Sequence, residues 1–233
     1  MKIEELIWDV FEIKGALEDE SDLEPMWVLY KLSQYRAVFI PQEFALTQEI
    51  NPVWLQRLHK FSWEKVTAAD DPAIIYNSIT LGKAAIPRVI SLPDDQGTYR
   101  VSGSGAILQF EPVDFNLLMM KSEIGEEKHG EYGYYSKVGD VIYISPYIME
   151  GSAILIAENP LDIQVHDPST GVLRDMLFTD DYPLDGNLAQ RALIEFLTKD
   201  MAVAEGAITD IINDSQSQLK ILKGGQTSNQ RQE

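Results

Sequence analysis

The sequence contains no cysteine, which excludes disulfide bonds, thiolate metal sites and cysteine nucleophiles. This composition is typical of a reducing cytoplasm, where we expect the chain to be synthesised. Long apolar runs are also missing, since the longest, such as residues 153–157, are far shorter than the roughly 18 residues that span a bilayer. The N-terminus carries acids where a signal peptide has its basic region. We therefore expect a soluble protein with no membrane partner.

Basic residues are scarce. Lysine and arginine number 19 against 37 aspartates and glutamates, which gives a net charge of -18. Because affinity for phosphate comes from clustered lysine and arginine, a protein that grips nucleic acid is disfavoured. Two interpretations of the charge remain open. It provides solubility and self-avoidance, or it forms a surface past which DNA moves without sticking.

Histidines, the commonest general bases, number only three, and none has a recognisable catalytic or metal-binding neighbourhood. His59 falls in a helix-like segment, where we expect partial exposure, and His166 falls in a turn. His129 has no partner at the i, i+4 spacing of helical metal motifs. The glycine-containing segments 102–105 and 82–83 lack the features of a phosphate-binding loop and read as turns.

Paired carboxylates are the remaining candidates for catalysis, because two acids can hydrolyse a glycosidic bond. Adjacent side chains in extended chain point apart, however, and every pair lies in a predicted turn or loop. A hydrolase is therefore the least favoured hypothesis, and we predict a non-enzyme with no catalytic, metal-binding or cofactor-binding residue. The pairs are Asp70/Asp71, Asp94/Asp95, Glu126/Glu127 and Asp180/Asp181.

Helical periodicity marks both ends of the chain. It predicts one helix over residues 3–17 and a second that is capped by Ser21 and ends before Pro41. A third, shorter helix is predicted after Asn51, with Trp54, Leu58 and Phe61 among its apolar residues. A C-terminal helix is predicted from about Asn187. Its apolar face contains Leu188, Ala192, Leu193, Phe196, Leu197 and Met201, and residues 202–212 continue or follow it.

The middle of the chain has the alternation and turn residues of strands. The clearest pair is 132–138 with 141–145, turning at Gly139. A hairpin is predicted around residues 102–105, a buried strand over 153–157 and a mobile loop over 121–130. From residue 224 there is no apolar residue, so we predict a disordered tail.

Several stretches resemble the head-to-tail connector, or adaptor, ring proteins of tailed bacteriophages, especially the short-tailed, crAss-like phages of gut bacteria. The likeness covers about residues 20–222. One stretch is a helix with Arg36 followed four residues later by Ile40, and another is a hairpin. The stretches are residues 32–40, 51–58, 69–72, 81–90, 134–144, 157–160, 182–183 and 210–214.

The resemblance implies an α+β fold in which N- and C-terminal helices form a bundle with an inserted antiparallel β-sandwich-like module. The corresponding divisions are residues 1–68 for the N-terminal helical segment, 69–180 for the β-rich module, 181–222 for the C-terminal helices and 223–233 for the flexible tail. It also implies a cyclic homo-oligomer, a dodecamer, in the neck or tail of the virion.

In that role the ring joins the portal to the tail and lines the channel through which DNA passes as cargo. The implied partners are the portal protein, adjacent tail ring proteins and tail fibres. We expect partner contacts at Trp27, Tyr30 and Trp54 and at Lys220, Ile221, Leu222 and Lys223. The alternative is a soluble, β-rich module that binds protein or carbohydrate through an aromatic patch at Tyr132, Tyr134 and Tyr135.

Overall fold

The computed structural model describes residues 1–17, 24–103, 108–125, 132–167 and 169–201, which contain four α-helices and ten β-strands. The helices are α1 (Ile3–Leu17), α2 (Pro25–Thr47), α3 (Phe115–Ile124) and α4 (Gly186–Lys199). The strands are β1 (Gln56–Ser62), β2 (Glu64–Val66), β3 (Leu81–Ala85), β4 (Thr98–Gly103), β5 (Gln109–Pro112), β6 (Tyr132–Val138), β7 (Val141–Ser145), β8 (Glu150–Leu155), β9 (Val165–His166) and β10 (Leu173–Arg174).

Eight of these strands form one curled, mixed sheet in the order β1-β8-β4-β5-β6-β7-β3-β2. Its neighbours are antiparallel except for β5 and β6, which run parallel. A parallel pair needs a crossover connection, and α3 provides it. The remaining strands, β9 and β10, pair with each other in a separate two-stranded sheet.

The two edge strands of the large sheet, β1 and β2, are separated in the chain by a single residue, Trp63. The sheet must therefore curl until its two edges approach each other at that residue. The indole of Trp63 is 3% exposed and packs inside the curl against Phe61 and Phe110, with ring centroids 4.8 and 6.5 Å away. Its backbone N–H donates to the carbonyl of Met149 at 3.0 Å.

Glycine on the inner surface of the curl gives this indole its space. A β-carbon at Gly151 would lie 2.4 Å from the Trp63 Nε1 atom and 3.0 Å from the Ser102 carbonyl oxygen. A β-carbon at Gly82, in β3 next to the other edge strand, would lie 2.6 Å from the Ile144 side chain. Close packing at both edges thus depends on residues without a side chain.

A second layer consists of α1, α2 and α4, whose apolar faces meet in one core. The side chain of Asp185 begins α4 by accepting a hydrogen bond from the Leu188 N–H at 3.1 Å. The predicted apolar face of α4 is confirmed, because its residues are buried in this core: Leu188, Ala192, Leu193, Phe196 and Leu197. Helix α3 covers a smaller cluster on the other side of the sheet, with Leu118 and Met119 buried.

The helical layer and the sheet are joined at Arg36, a residue of α2 with no measurable exposure. Its Nε donates to the Pro183 carbonyl at 3.0 Å, one terminal nitrogen donates to the Trp54 carbonyl at 3.1 Å, and the other donates to the Ala157 carbonyl. Burial lowers the pKa of Arg36 to about 10, so the guanidinium stays charged at neutral pH. Among the residues described, no carboxylate pairs with it, and backbone dipoles solvate the charge.

The predicted fold class is wrong. The structure is mostly a single curled mixed sheet, and neither a helical bundle nor an antiparallel sandwich inserted into one describes it. The segment assigned to the N-terminal helices contributes both edge strands, β1 and β2. Residues 223–233, predicted to be a flexible tail, lie outside the described part.

Three local predictions also need correction. The helix expected after Asn51 is a single 3-10 turn, Pro52–Trp54, followed by β1. Helix α2 continues through Pro41, because burial of Phe44 beyond it offsets the cost of a proline, about 3 kcal/mol. The loop expected over 121–130 begins as the last turn of α3, and residues 126–130 lie outside the described ranges.

The hairpin formed by β6 and β7 is confirmed.

Substituting Gly151→Ala tests the packing of the curl. We expect the free energy of unfolding to fall by about 1–3 kcal/mol, because the new methyl group overlaps the Trp63 ring and a rigid backbone carbonyl. The matched control is Gly186→Ala at the start of α4, where nothing lies within 4 Å of the added carbon. Urea unfolding should show a lowered midpoint for the first variant and an unchanged or slightly raised midpoint for the second.

Arg36→Met and Arg36→Lys test the junction between the layers. We expect the first to cost about 3–5 kcal/mol, because three buried carbonyls lose their donors. The lysine variant should also be destabilised, since a single ammonium cannot reproduce the planar fork. Arg88→Lys, at an exposed position, is the control. Equal urea midpoints for all three variants would contradict the role of Arg36.

Candidate interaction surfaces

The described residues contain no group of three or more histidine, aspartate or glutamate side chains placed to hold a metal ion. Over the same residues, none of the helices has the length and hydropathy that crossing a membrane requires.

Two of the histidines that looked isolated in the sequence lie together. The Nε2 atom of His166 is 3.2 Å from the Nδ1 atom of His59, and His166 Nδ1 is 2.9 Å from the Gly171 carbonyl. Because a carbonyl only accepts, His166 Nδ1 is the donor to Gly171, and in a neutral ring His166 Nε2 is then the acceptor for His59 Nδ1. Burial, followed by the neighbouring His166 and Arg57, lowers the pKa of His59. His129 lies outside the described residues.

Three side chains of the acidic pairs, Asp70, Asp71 and Asp180, have structural partners. Asp71 is buried and accepts hydrogen bonds from Lys83 Nζ at 2.7 Å and from the Tyr143 hydroxyl at 2.8 Å. Its neighbour Asp70 caps a turn by accepting from Thr67. Asp180 forms a bidentate ion pair with Arg174, at 2.6 and 2.8 Å. Glu126 and Glu127 are not among the described residues.

Asp71 supplies a pH-dependent contribution to stability. Hydrogen bonds from Lys83, the Ala73 N–H and Tyr143 lower its pKa to about 2. A lowered pKa means that the contribution is complete above about pH 4 and is lost as the pH falls towards 2. We therefore expect Asp71→Asn to lower the free energy of unfolding by about 2 kcal/mol at pH 7.

This difference between Asp71→Asn and the parent chain should narrow steadily between pH 4 and pH 2, as measured by urea unfolding at each pH. Asp140→Asn is the control, because that side chain is about half exposed and makes only a 3.6 Å ion pair with Arg88. A difference that stays constant down to pH 2 would show that the Asp71 carboxylate is not the titrating group.

The residues expected to contact partners differ in their placement. Tyr30 is 57% exposed and Trp27 is 37% exposed, so both are accessible on α2. Trp54 is 1% exposed, with its indole N–H donated to Asp185 at 3.1 Å, so it belongs to the core and not to a contact surface. Lys220, Ile221, Leu222 and Lys223 fall outside the residues that the structure describes.

A first apolar surface surrounds the start of α2; we call it the α2 surface. Met26, Trp27 and Tyr30 are neighbours on the helix, and Met26 also lines a shallow cleft with Leu177 and Phe178. The Trp27 ring packs edge-on against Phe196, which fixes its position while leaving one side in solvent. Packing thus holds the centre of the surface, which is mainly apolar, with Lys31 beside Trp27 and Asp175 in the cleft as its charged neighbours.

A second apolar surface runs along α3; we call it the α3 stripe. Leu117, Met120 and Ile124 follow one another at helical spacing and are 42, 53 and 70% exposed. Leu118 and Met119 anchor the opposite side of the helix in the core beneath it. The stripe is not among the features expected from the sequence, because residues 121–130 are expected to form a loop. The apolar spacing 117–120–124 is the signal that could have revealed it.

The aromatic patch expected at residues 132–135 is not formed. Tyr132 is 56% exposed, but Tyr135 lies on the opposite face of β6, is 4% exposed and donates its hydroxyl to the Thr98 carbonyl at 3.1 Å. Tyr134 is half-buried beneath the Lys121 ammonium, 4.2 Å from the ring centroid.

No protein-family model matches the chain, and a search of curated proteins finds no significant match. Its function must therefore be inferred from its own residues and surfaces.

Proposed function

We propose that the chain is a structural subunit of a bacteriophage head-to-tail connector, in which identical copies close into a ring between the portal and the tail. The observation that carries the proposal is the pair of apolar surfaces on separate helices. The α2 surface belongs to the helical layer, and the α3 stripe belongs to the far side of the sheet. A ring with cyclic symmetry uses two different patches, one on each side of every contact.

The stretches that prompted the resemblance provide a second line of support. Arg36 lies in the stretch 32–40. Its three carbonyl acceptors, at Trp54, Ala157 and Pro183, lie in three other stretches: 51–58, 157–160 and 182–183. Sequence elements that are far apart in the chain therefore meet at one buried junction. The proposal uses these sequence stretches and not the helical bundle that the resemblance implied, which the structure contradicts.

The charge is consistent with the same role. A chain with 37 acidic and 19 basic residues repels the phosphates of passing DNA, so DNA is cargo and not a bound ligand. In this proposal the partners are further copies of the chain in a dodecamer, the portal protein, adjacent tail ring proteins and tail fibres, and the location is the virion.

Native mass spectrometry of the full chain tests the proposal, first alone and then with candidate portal and tail proteins. We expect a cyclic oligomer, either alone or on addition of a portal. A chain that stays monomeric with every partner contradicts the ring and leaves the β-rich binding module as the alternative.

Two charge-introducing variants test which surfaces form the contact. Tyr30→Glu disables the α2 surface and Met120→Glu disables the α3 stripe, so each should abolish the ring without lowering the thermal midpoint by more than a few degrees. Trp8→Glu is the matched control, because Trp8 is 69% exposed on α1 and belongs to neither surface.

Mixing the two variants gives the sharper result. Each retains one intact surface, and the intact α3 stripe of Tyr30→Glu fits the intact α2 surface of Met120→Glu. We expect a one-to-one dimer in the mixture and monomers in each variant alone, read by native mass. Self-association of either variant alone would show a symmetric contact and contradict the heterologous arrangement.

A further inference from the structure

A groove beside β4 contains polar groups that the fold itself does not use. It has a volume of about 480 Å³, and we call it the acidic groove. The residues that matter to its chemistry are Asp94, Asp95, Thr98, Tyr99, Arg100 and Glu111.

The backbone around the groove departs from regular geometry at two adjoining places. Asp94 and Asp95 both have positive φ, at 54° and 56°, a conformation that non-glycine residues rarely adopt. The pairing of β4 with β8 then slips between Thr98 and Arg100, which leaves Tyr99 opposite no residue and 55% exposed. Bulges and strained residues of this kind concentrate at functional sites because they aim side chains.

Two buried polar atoms of the groove residues lack partners. The hydroxyl of Thr98, a residue only 3% exposed, makes no hydrogen bond with the described residues, and neither does the Nε of Arg100. Leaving a buried donor or acceptor unpaired costs about 1–3 kcal/mol. They show that some hydrogen-bonding capacity beside the groove is not used by the described residues.

The charges restrict the ligand further. Asp95 is paired with Lys137 at 3.2 Å, whereas Asp94 and Glu111 have no ion pair within the described residues. Two carboxylates without an ion pair and a single arginine thus line the groove, and this balance of charge disfavours an anion. A peptide segment fits best, because its backbone carbonyl suits Arg100 and a lysine suits the carboxylates and the Tyr99 ring.

We propose that the acidic groove binds the C-terminal segment of a second copy of this chain, around Lys220 and Lys223. This inference rests on the proposed ring, since it supplies a further contact between neighbouring copies. In a chain of net charge -18, the last 19 residues contain Lys220, Lys223 and Arg231 against one acid, Glu233. A fully extended chain of 19 residues spans at most about 60 Å, which is an upper bound on the distance from Met201 to Lys220.

Cross-linking tests the proposal without background, because the chain has no native cysteine. One full-length copy carries Gln109→Cys, at an exposed position in the groove, and another carries Ile221→Cys; neither change alters a charge. After mixing and treatment with a short bismaleimide, we expect a covalent dimer. The control replaces the first copy by Met149→Cys, which is 77% exposed and lies outside the groove. The dimer yield should be at least about tenfold lower with the control.

Adding Asp94→Asn and Glu111→Gln to the Gln109→Cys copy should reduce the yield several-fold, and so should raising the salt concentration. A yield equal to that of the control overturns the proposal. A single chain that carries both Gln109→Cys and Ile221→Cys gives a second test. If the cross-link forms only within that chain and no dimer appears, the groove binds the chain's own segment and the proposal is overturned.

The cross-link and the native mass fail independently. A ring without the cross-link rejects only the groove as the binding site. A cross-link between copies that never form a ring rejects the connector and retains the groove.

Discussion

The guanidinium of Arg36 is the junction on which the arrangement of the molecule depends. It projects from α2 and binds the backbone of three segments that are otherwise separate: the 3-10 turn at Trp54, the chain leaving β8 at Ala157 and the approach to α4 at Pro183. No described carboxylate neutralises it, and the charge is stable only because three carbonyls are held around it. The helical layer and the sheet therefore position each other, and neither can shift without breaking hydrogen bonds that water does not replace.

The sheet contributes the second constraint. With Trp63 as the only residue between its edge strands, the curl is fixed by chain connectivity, and the Trp63 indole is part of the apolar cluster that fills it. Helix α3 is held outside this curl by the crossover from β5 to β6, and α2 lies in the layer attached through Arg36. A rigid frame thus presents two apolar surfaces in a constant relation, which a closed ring of identical subunits requires.

Sequence patterns predicted the elements whose local signals agree. The hairpin of β6 and β7 has alternating residues and Gly139 in the left-handed conformation, and α4 has an apolar stripe, although its cap is Asp185 and not Asn187. The patterns failed where a distant contact decides. Leu58 and Phe61 have the three-residue spacing of a helix, yet both lie in β1. They pack against the same apolar cluster because the register of β1 against β8 shifts between them. His59 and His166 are likewise brought together by packing that no local spacing records. Of the expected contact residues, Tyr30 and Trp27 are exposed, as a contact would require, whereas Trp54 is buried in the core.

Native-state hydrogen exchange, followed by mass spectrometry, tests the claim that Arg36 makes the helical layer and the sheet one cooperative unit. The buried amides of α2 and α4 should open with the same free energy as those of β8 and β4. In the Arg36→Met variant the helical amides should become less protected than the sheet amides. If the two layers already differ by several kcal/mol in the parent chain, or if the variant lowers both equally, Arg36 is not the junction between them.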